Sequence, residues 1–321
     1  MTGFPRLPQV RRWFMEATVQ RPPWTVEQLI AAKQGRTVSV VLPALNEQAT
    51  VGALVSALRP LVGGLVDELV VMDSGSTDRT ADVAGNAGAR VVQRTDVLPE
   101  LPPWPGKGEV LWRSLAATSG DVLVFIDSDL VDFDAGFIPA LLGPLLRWHR
   151  RPRHDIALVK GFYRRPLRIE SGESGTGGGR VTELLARPLL NALRPELAGV
   201  VQPLGGEYAA TRQFLESVAF AAGYGVEMGL LLDVHTDYGL DGLAQVNLGV
   251  RKHRNRSLLE LGVMSRQILG AALPRCGIMG AGGAAGITQF VQLGARFMPT
   301  ETEVLVADRP PMRDVLAARS A

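Results

Sequence analysis

Residues 121–132 read DVLVFIDSDLVD. Five apolar residues, Val122 through Ile126, run without interruption into Asp127, Ser128 and Asp129. A strand that shows no alternation is buried on both faces, the pattern of a parallel sheet covered by helices. Such a strand delivers its C-terminal end to the ligand-binding edge of the sheet. Carboxylates gathered there, beside a low-dielectric core, lose hydration and repel one another. A positive partner, either a side chain or a cation, is therefore expected at that edge.

The same architecture repeats on both sides of this strand. Upstream, Thr37–Leu42 is a β-rich run closed by Pro43, and Val51, Leu54, Val55 and Leu58 follow at helical spacing, with Asn46 as a candidate cap. Glu68–Met72 reads as a second strand, Asp73–Ser76 as a turn into a helix reaching about residue 87, and Ala89–Val92 as a third strand. A helix over Lys107–Ala117 leads into the strand at 121–126. Alternating strands and helices of this kind specify an α/β fold, a doubly wound, mostly parallel sheet flanked by helices. Downstream, Ile156–Lys160 reads as a strand, Ser171–Gly179 as a Gly/Ser-rich loop and Arg180 to about Leu193 as a helix. Residues 257–321 read as one or two helices, a Gly/Ala-rich stretch and a tail punctuated by proline. Residues 1–24 read as an irregular arm, after which Thr25-Val26-Glu27-Gln28 forms a capping box opening a short helix that stops at Gly35. The expected organisation is an arm with a short helix (1–35), a nucleotide-binding half (36–145), a half that binds the second substrate (146–256) and a C-terminal extension (257–321).

Composition narrows the function. The chain has 321 residues, and its formal net charge of +2 is too small to argue for nucleic acid, though it suits small anionic substrates. The lone Cys276 excludes an internal disulfide framework and fits a reducing compartment. The first residues contain no apolar core of a signal peptide. No uncharged apolar run reaches the roughly 18–20 residues of a membrane span. The expectation is a cytoplasmic protein.

Several short patterns can carry chemistry. Asp127-Ser128-Asp129 offers two carboxylates at a strand end, either a solvated turn or a site shared by a divalent cation and a sugar hydroxyl. The loop Pro43-Ala44-Leu45-Asn46-Glu47 lacks the G-x-G-x-x-G of a dinucleotide-binding dehydrogenase, yet its backbone and Glu47 suit a base and a ribose. Gly106-Lys107-Gly108 puts a cation at a helix start, where backbone amides also meet anions; no Ser or Thr follows, so it is not a Walker A loop. Gly179-Arg180-Val181-Thr182 offers a second anion site. Glu227 stands alone among glycines in Gly223–Glu227, either a helix-capping acid or a functional one. The run Arg251-Lys252-His253-Arg254-Asn255-Arg256 is a basic solvated face, a nucleic-acid patch or the closing half of a metal–phosphate site.

Taken in order, VSVVLPALNE, VVMDSGSTD, PGKGEVLWRSL, FIDSD, GGGRVTE, GYGVEMG and VNLGVRKHRNR resemble a GT-A-type nucleotide-sugar glycosyltransferase. More narrowly, they resemble the glucosyl-3-phosphoglycerate synthases of actinobacteria, over about residues 22–270 and including ARPLLNALRPELAGV and LGGEYAATR. The resemblance implies transfer of glucose from UDP-glucose to the 2-hydroxyl of 3-phosphoglycerate, with retention. It implies that Pro43–Glu47, Ser74, Lys107, Asp127 and Ser128 hold the donor, and that Asp129 and His253 bind Mg²⁺ or Mn²⁺ against its diphosphate. It also implies that Gly179–Thr182 and Asn255 hold phosphoglycerate. Tyr224, Gly225, Val226, Arg251 and Arg256 would close over the donor, with Glu227 near the glucose and Asp127 and Arg256 assisting the transfer. Together with the apolar C-terminal half, the resemblance favours a homodimer. The alternatives are a mannosyl-3-phosphoglycerate synthase using GDP-mannose and a sugar-phosphate nucleotidyltransferase, which would carry a Gly-rich basic loop after its first strand.

Overall fold

The structure is a computed structural model that describes residues 7–147, 156–164, 179–250, 257–279 and 286–320. In chain order, α1 (Pro8–Ala17) and β1 (Thr18–Val19) precede α2 (Val26–Lys33). There follow β2 (Val38–Ala44), α3 (Val51–Leu58), β3 (Glu68–Asp73), α4 (Thr80–Ala87), β4 (Arg90–Gln93), α5 (Lys107–Ala117) and β5 (Val122–Phe125). The second half contributes α6 (Phe137–Arg147), β6 (Leu158–Arg164), α7 (Arg187–Leu193), β7 (Tyr208–Thr211), α8 (Arg212–Ser217), β8 (Phe220–Ala221), α9 (Val226–Tyr238) and β9 (Leu243–Val250). Last come α10 (Leu258–Arg275), β10 (Gly286–Leu293), β11 (Arg296–Glu303), β12 (Asp308–Arg309) and α11 (Met312–Ser320).

Eight strands form one sheet in the order β1-β9-β6-β7-β5-β2-β3-β4. All neighbours are parallel except β7, which runs antiparallel to both β5 and β6. The stretch that decided the fold sits near the middle, and its parity sorts it between two cores. Val122, Val124 and Ile126 pack with the residues of α3 and α6, whereas Leu123 and Phe125 pack on the opposite face with Val110, Leu111 and Trp112 of α5 and Val226 of α9. Continuing that alternation aims Asp127 at the face that carries α5 and α9. The strand pairing ends at Phe125 and Ser128-Asp129 form a turn, so the two aspartates do not share the simple i, i+2 relation of an extended chain.

Three local expectations change. The arm at 1–24 is not irregular where it is described: α1 packs Val10 and Trp13 into the core, Trp13 donates its indole N–H to the Leu243 carbonyl (2.8 Å), and Thr18–Val19 extends the sheet beside β9. Asn46 does not cap α3, because its backbone is left-handed (φ 56°) and its side chain accepts from the amide of Thr77 (2.8 Å). In the C-terminal region, β10 and β11 form a hairpin through the two-residue turn Gly294-Ala295, where no strand was expected, and residues 280–285 of the Gly/Ala-rich stretch lie outside the described residues. The capping box at Thr25–Gln28 is present, with both reciprocal hydrogen bonds.

Candidate active site

The carboxyl ends of β2, β3 and β5 lie side by side, and their loops are laced together. Asp73, buried at the end of β3, accepts from the amides of Gly75 (3.2 Å) and Ser76 (2.9 Å) and from the Ser76 hydroxyl (2.7 Å). Ser76 Oγ in turn accepts from the Asn46 amide (2.9 Å), and Thr80 Oγ1 from the Glu47 amide (2.7 Å). Ser74 donates its amide to the Ala44 carbonyl (2.9 Å), and the Ser128 hydroxyl donates to the Pro43 carbonyl (2.8 Å). The loop Pro43–Glu47 is thus fixed by Ser74, Ser76 and Ser128, with Leu45 left exposed.

Beside this platform stands the positive partner that the aspartates required. Lys107 Nζ lies 2.5 Å from Asp127 Oδ1 and 2.7 Å from Glu227 Oε1. Burial alone would lower the Lys107 pKa, but the two carboxylates raise it well above its ordinary value, so the ammonium stays charged. Two helix starts make the meeting possible. Lys107 opens α5 behind Gly106, whose φ of 97° and 2.8 Å approach of a would-be Cβ to the Gly223 Cα both require glycine. Glu227 is buried in the first turn of α9, directly after the Gly223–Gly225 turn, where a helix N-terminus favours an anion. Gly206 covers the cluster from β7's approach: a Cβ there would collide with the Asp127 carboxylate and come within 2.6 Å of Lys107 Nζ.

Behind these helices the C-terminal strand β12 acts on both. Arg309 reaches across 200 residues to Glu109 of α5 (Nε to Oε2, 2.7 Å), which also pairs with Arg113 (2.6 Å) in a fully buried triad. Arg309 also lies over the Trp104 ring, 3.9 Å from its centroid. Its neighbour Asp308 pairs with Arg275 (2.8 Å), which grips Asp233 of α9 (2.9 Å). The helices bearing Lys107 and Glu227 are therefore tied to one pair of adjacent residues.

Of the other expected site residues, Gly179-Arg180-Val181-Thr182 is described. Gly179 has a φ of 88°, Val181 and Thr182 are buried and Arg180 is exposed. Val181 joins the core on the face that holds Lys107 and Glu227. A π-helical turn, Thr182–Ala186, follows directly, a distortion often found at functional sites. Tyr224 is held by its amide to Gln267 (3.0 Å), and Gly225 and Val226 are buried. Arg251, His253, Asn255 and Arg256 lie outside the described residues. Among the described residues no group of three or more metal-binding side chains converges. Asp129 remains as a half-buried carboxylate beside the cluster, which fits a hard cation that takes one or two carboxylates and completes its shell from substrate phosphates.

Three residues of the site had no role read for them in the sequence. Lys160, Glu207 and Tyr208 are all buried here. Lys160 Nζ donates to the Gly205 carbonyl (2.6 Å) and lies 4.9 Å from the centre of the Tyr208 ring. The signal was a single charge inside each apolar stretch, Lys160 after Ile156–Val159 and Glu207 before Tyr208–Ala210.

Comparison with known proteins follows the same lines. A family model described as Glycosyl transferase family 2 matches residues 39–173. The chain is 62% identical over 301 residues to a glucosyl-3-phosphoglycerate synthase of Mycolicibacterium smegmatis, covering 94% of this chain and 97% of that one. It is similar to the crystal structure of glucosyl-3-phosphoglycerate synthase from Mycobacterium tuberculosis in complex with Mn²⁺, UDP-glucose and phosphoglyceric acid. That match has a TM-score of 0.83 and 56% identity, and covers 93% of this chain and 98% of the other. The same M. tuberculosis enzyme with Mn²⁺, UDP and glucosyl-3-phosphoglycerate matches with a TM-score of 0.84 and 56% identity, covering 93% and 99%.

Proposed function

The chain belongs to the glucosyl-3-phosphoglycerate synthases, and from that premise we propose the roles of its residues in moving glucose from UDP-glucose to the 2-hydroxyl of 3-phosphoglycerate, with retention. The observation that carries the assignment is the Lys107 ammonium held between Asp127 and Glu227 at the carboxyl edge of the sheet. The loop Pro43–Glu47 with Ser74 holds the uridine, and Lys107, Asp127 and Ser128 hold the rest of the donor. Asp127 and Glu227 take glucose hydroxyls, which orients the anomeric carbon. The leaving group is a nucleoside diphosphate, so charge develops on its oxygens as the glycosidic bond breaks. A bound Mn²⁺ or Mg²⁺, held by Asp129 and His253, neutralises that charge. Lys107 at the α5 N-terminus and Arg256 add fixed positive charge. Gly179–Thr182 and Asn255 bind the phosphoglycerate, whose phosphate and carboxylate suit Arg180 and helix-end amides. Tyr224–Val226 and Arg251 close over the donor. In this division of labour residues 36–145 serve the donor, 146–256 the acceptor and metal, and 257–321 hold the helices in place behind an arm at 1–35.

The test is UDP release by the full chain with UDP-glucose and 3-phosphoglycerate, with and without EDTA. Turnover that needs both substrates and stops with EDTA is expected. Faster turnover of GDP-mannose, or pyrophosphate release from a nucleoside triphosphate, would overturn the reading. Asp129→Ala isolates the metal role. Residues that merely orient metal ligands are worth about 10–100-fold in metal affinity, so the variant is expected to weaken Mn²⁺ binding at least that much by calorimetry. Unchanged Mn²⁺ binding would remove Asp129 from the site.

The reading includes a homodimer in the cytoplasm, where both substrates are made. The β10–β11 hairpin supports the dimer: Phe290, Leu293 and Phe297 are each more than 60% exposed on a two-stranded ribbon, and such ribbons are marginal in water unless covered. No described helix is long and apolar enough to cross a membrane. Phe290→Asp with Phe297→Asp is expected to halve the mass measured by light scattering while the fold persists. An unchanged mass would refute the hairpin interface.

A further inference from the structure

Among the described residues of the site, Lys160 is a buried cation that the proposed reaction leaves without a task. It sits on β6 between β7 and β9, opposite Tyr208 and Gln245 in the register, and is only 1% exposed. Burying an ammonium costs several kcal/mol unless it is compensated, and an apolar residue would fill a strand position at no such cost. What surrounds it is charged from each side that bears charge. Glu227 faces it from α9, Lys107 from α5, Glu207 and Tyr208 from β7 and its approach, and Asp127 from the end of β5, while β9 presents the neutral Gln245. Two ammonium groups thus share three carboxylates.

Its hydrogen bond is equally placed. Lys160 Nζ donates to the Gly205 carbonyl at 2.6 Å. The next residue, Gly206, has its backbone against the Asp127 carboxylate and Lys107 Nζ, where not even a methyl group fits. Gly205 is fixed on its other side by donation of its amide to the Gln202 carbonyl (3.2 Å).

We propose that Lys160 is a positioning residue for glucosyl transfer: its ammonium pins the Gly205–Gly206 backbone against Asp127 and Lys107, and its positive charge attracts Glu227 and Asp127, the groups that receive the sugar. This rests on the assignment of Asp127, Lys107 and Glu227 to the donor site. The charge is present only while Lys160 is protonated. Burial, with Lys107 adding to it, lowers its pKa to about 8 against the opposing pull of Glu227, Glu207 and Asp127. The protonated form therefore dominates below that pH, and its contribution is lost as pH rises through it.

The experiment compares wild type, Lys160→Met and Lys160→Arg as full-length proteins. Steady-state rates of UDP release are measured with Mg²⁺ from pH 6.5 to 10, and thermal melts check folding. Wild type is expected to lose turnover with a midpoint near pH 8. At pH 7, Lys160→Met is expected to lose about 10- to 100-fold in kcat/KM for UDP-glucose, the factor a charge-assisted hydrogen bond carries. That deficit should shrink above pH 9 as the wild-type lysine discharges. Lys160→Arg, which stays charged, is expected to shift the alkaline limb beyond the range. A wild-type/Met ratio constant across pH, or an alkaline limb unmoved in Lys160→Arg, would overturn the proposal and leave Lys160 a packing residue. If Lys160→Met fails to fold, the limb in Lys160→Arg decides alone. Failure of wild type to release UDP with 3-phosphoglycerate would instead sink the donor-site assignment, which separates the two ideas.

Discussion

Lys107→Met is expected to lower kcat for UDP-glucose about 10²–10³-fold, the cost of removing one preorganised electrostatic group from a transfer site. The methionine fills the same channel but leaves Asp127 and Glu227, each within 2.7 Å of the ammonium in the native protein, without the cation that pairs them directly, and with only the more distant Lys160 charge. Their mutual repulsion then acts in a pocket closed by Gly206 and the Gly106–Gly223 contact, where neither acid can retreat far. Lys107→Arg should rescue little, because the wider guanidinium meets the Gly206 backbone. Full activity in Lys107→Met would remove this residue from the reaction.

Glu109→Gln is expected to destabilise the fold by about 3–5 kcal/mol, the range for removing one partner from a buried ion pair. Glu109 pairs with two guanidinium groups at once, those of Arg113 and Arg309, all three nearly inaccessible to water. Arg113 has further support from the carbonyls of Val97, Leu98 and Leu101, and Arg309 from that of Pro102. Carbonyls accept hydrogen bonds but do not cancel charge. With glutamine at 109 two buried cations would face each other, whereas Arg309→Met leaves a balanced Glu109–Arg113 pair and should cost distinctly less. Urea midpoints of the two variants provide the comparison; equal shifts would show that packing on Trp104 and Trp112, and not charge, holds β12.

The sequence made some of this legible and hid the rest for identifiable reasons. The run Val122–Ile126 announced a central strand because burial on both faces leaves no polar residue to interrupt it. The helix at Lys107–Ala117 was marked by the glycines that its start needs. Lys107, Asp127 and Glu227 each stood out locally, but their convergence depends on Gly106 and Gly223 touching, a contact spanning more than a hundred residues that no local pattern encodes. Asn46 was misread as a cap because its partner, Thr77, comes from the neighbouring strand's loop. The hairpin was obscured because Gln289, Gln292 and the exposed Phe290, Phe297 and Met298 blur the alternation of TQFVQL and RFMPTETE, and Pro299 tolerates its place only on an edge. Lys160 passed as the polar end of a strand that in fact continues to Arg164.

The tie between β12 and the two helices bears on how the protein is made. Domains form from the N-terminus onward as the chain leaves the ribosome. Here Lys107, Asp127 and Glu227 are all synthesised long before Asp308 and Arg309, the residues that anchor their helices. A nascent chain can therefore complete its central sheet while Lys107 and Glu227 are still loosely mounted. A chain that stops before position 308 would have the sheet in place but the helices behind Lys107 and Glu227 untied. Asp308 and Arg309 are thus late-made residues on which the seating of two much earlier helices depends.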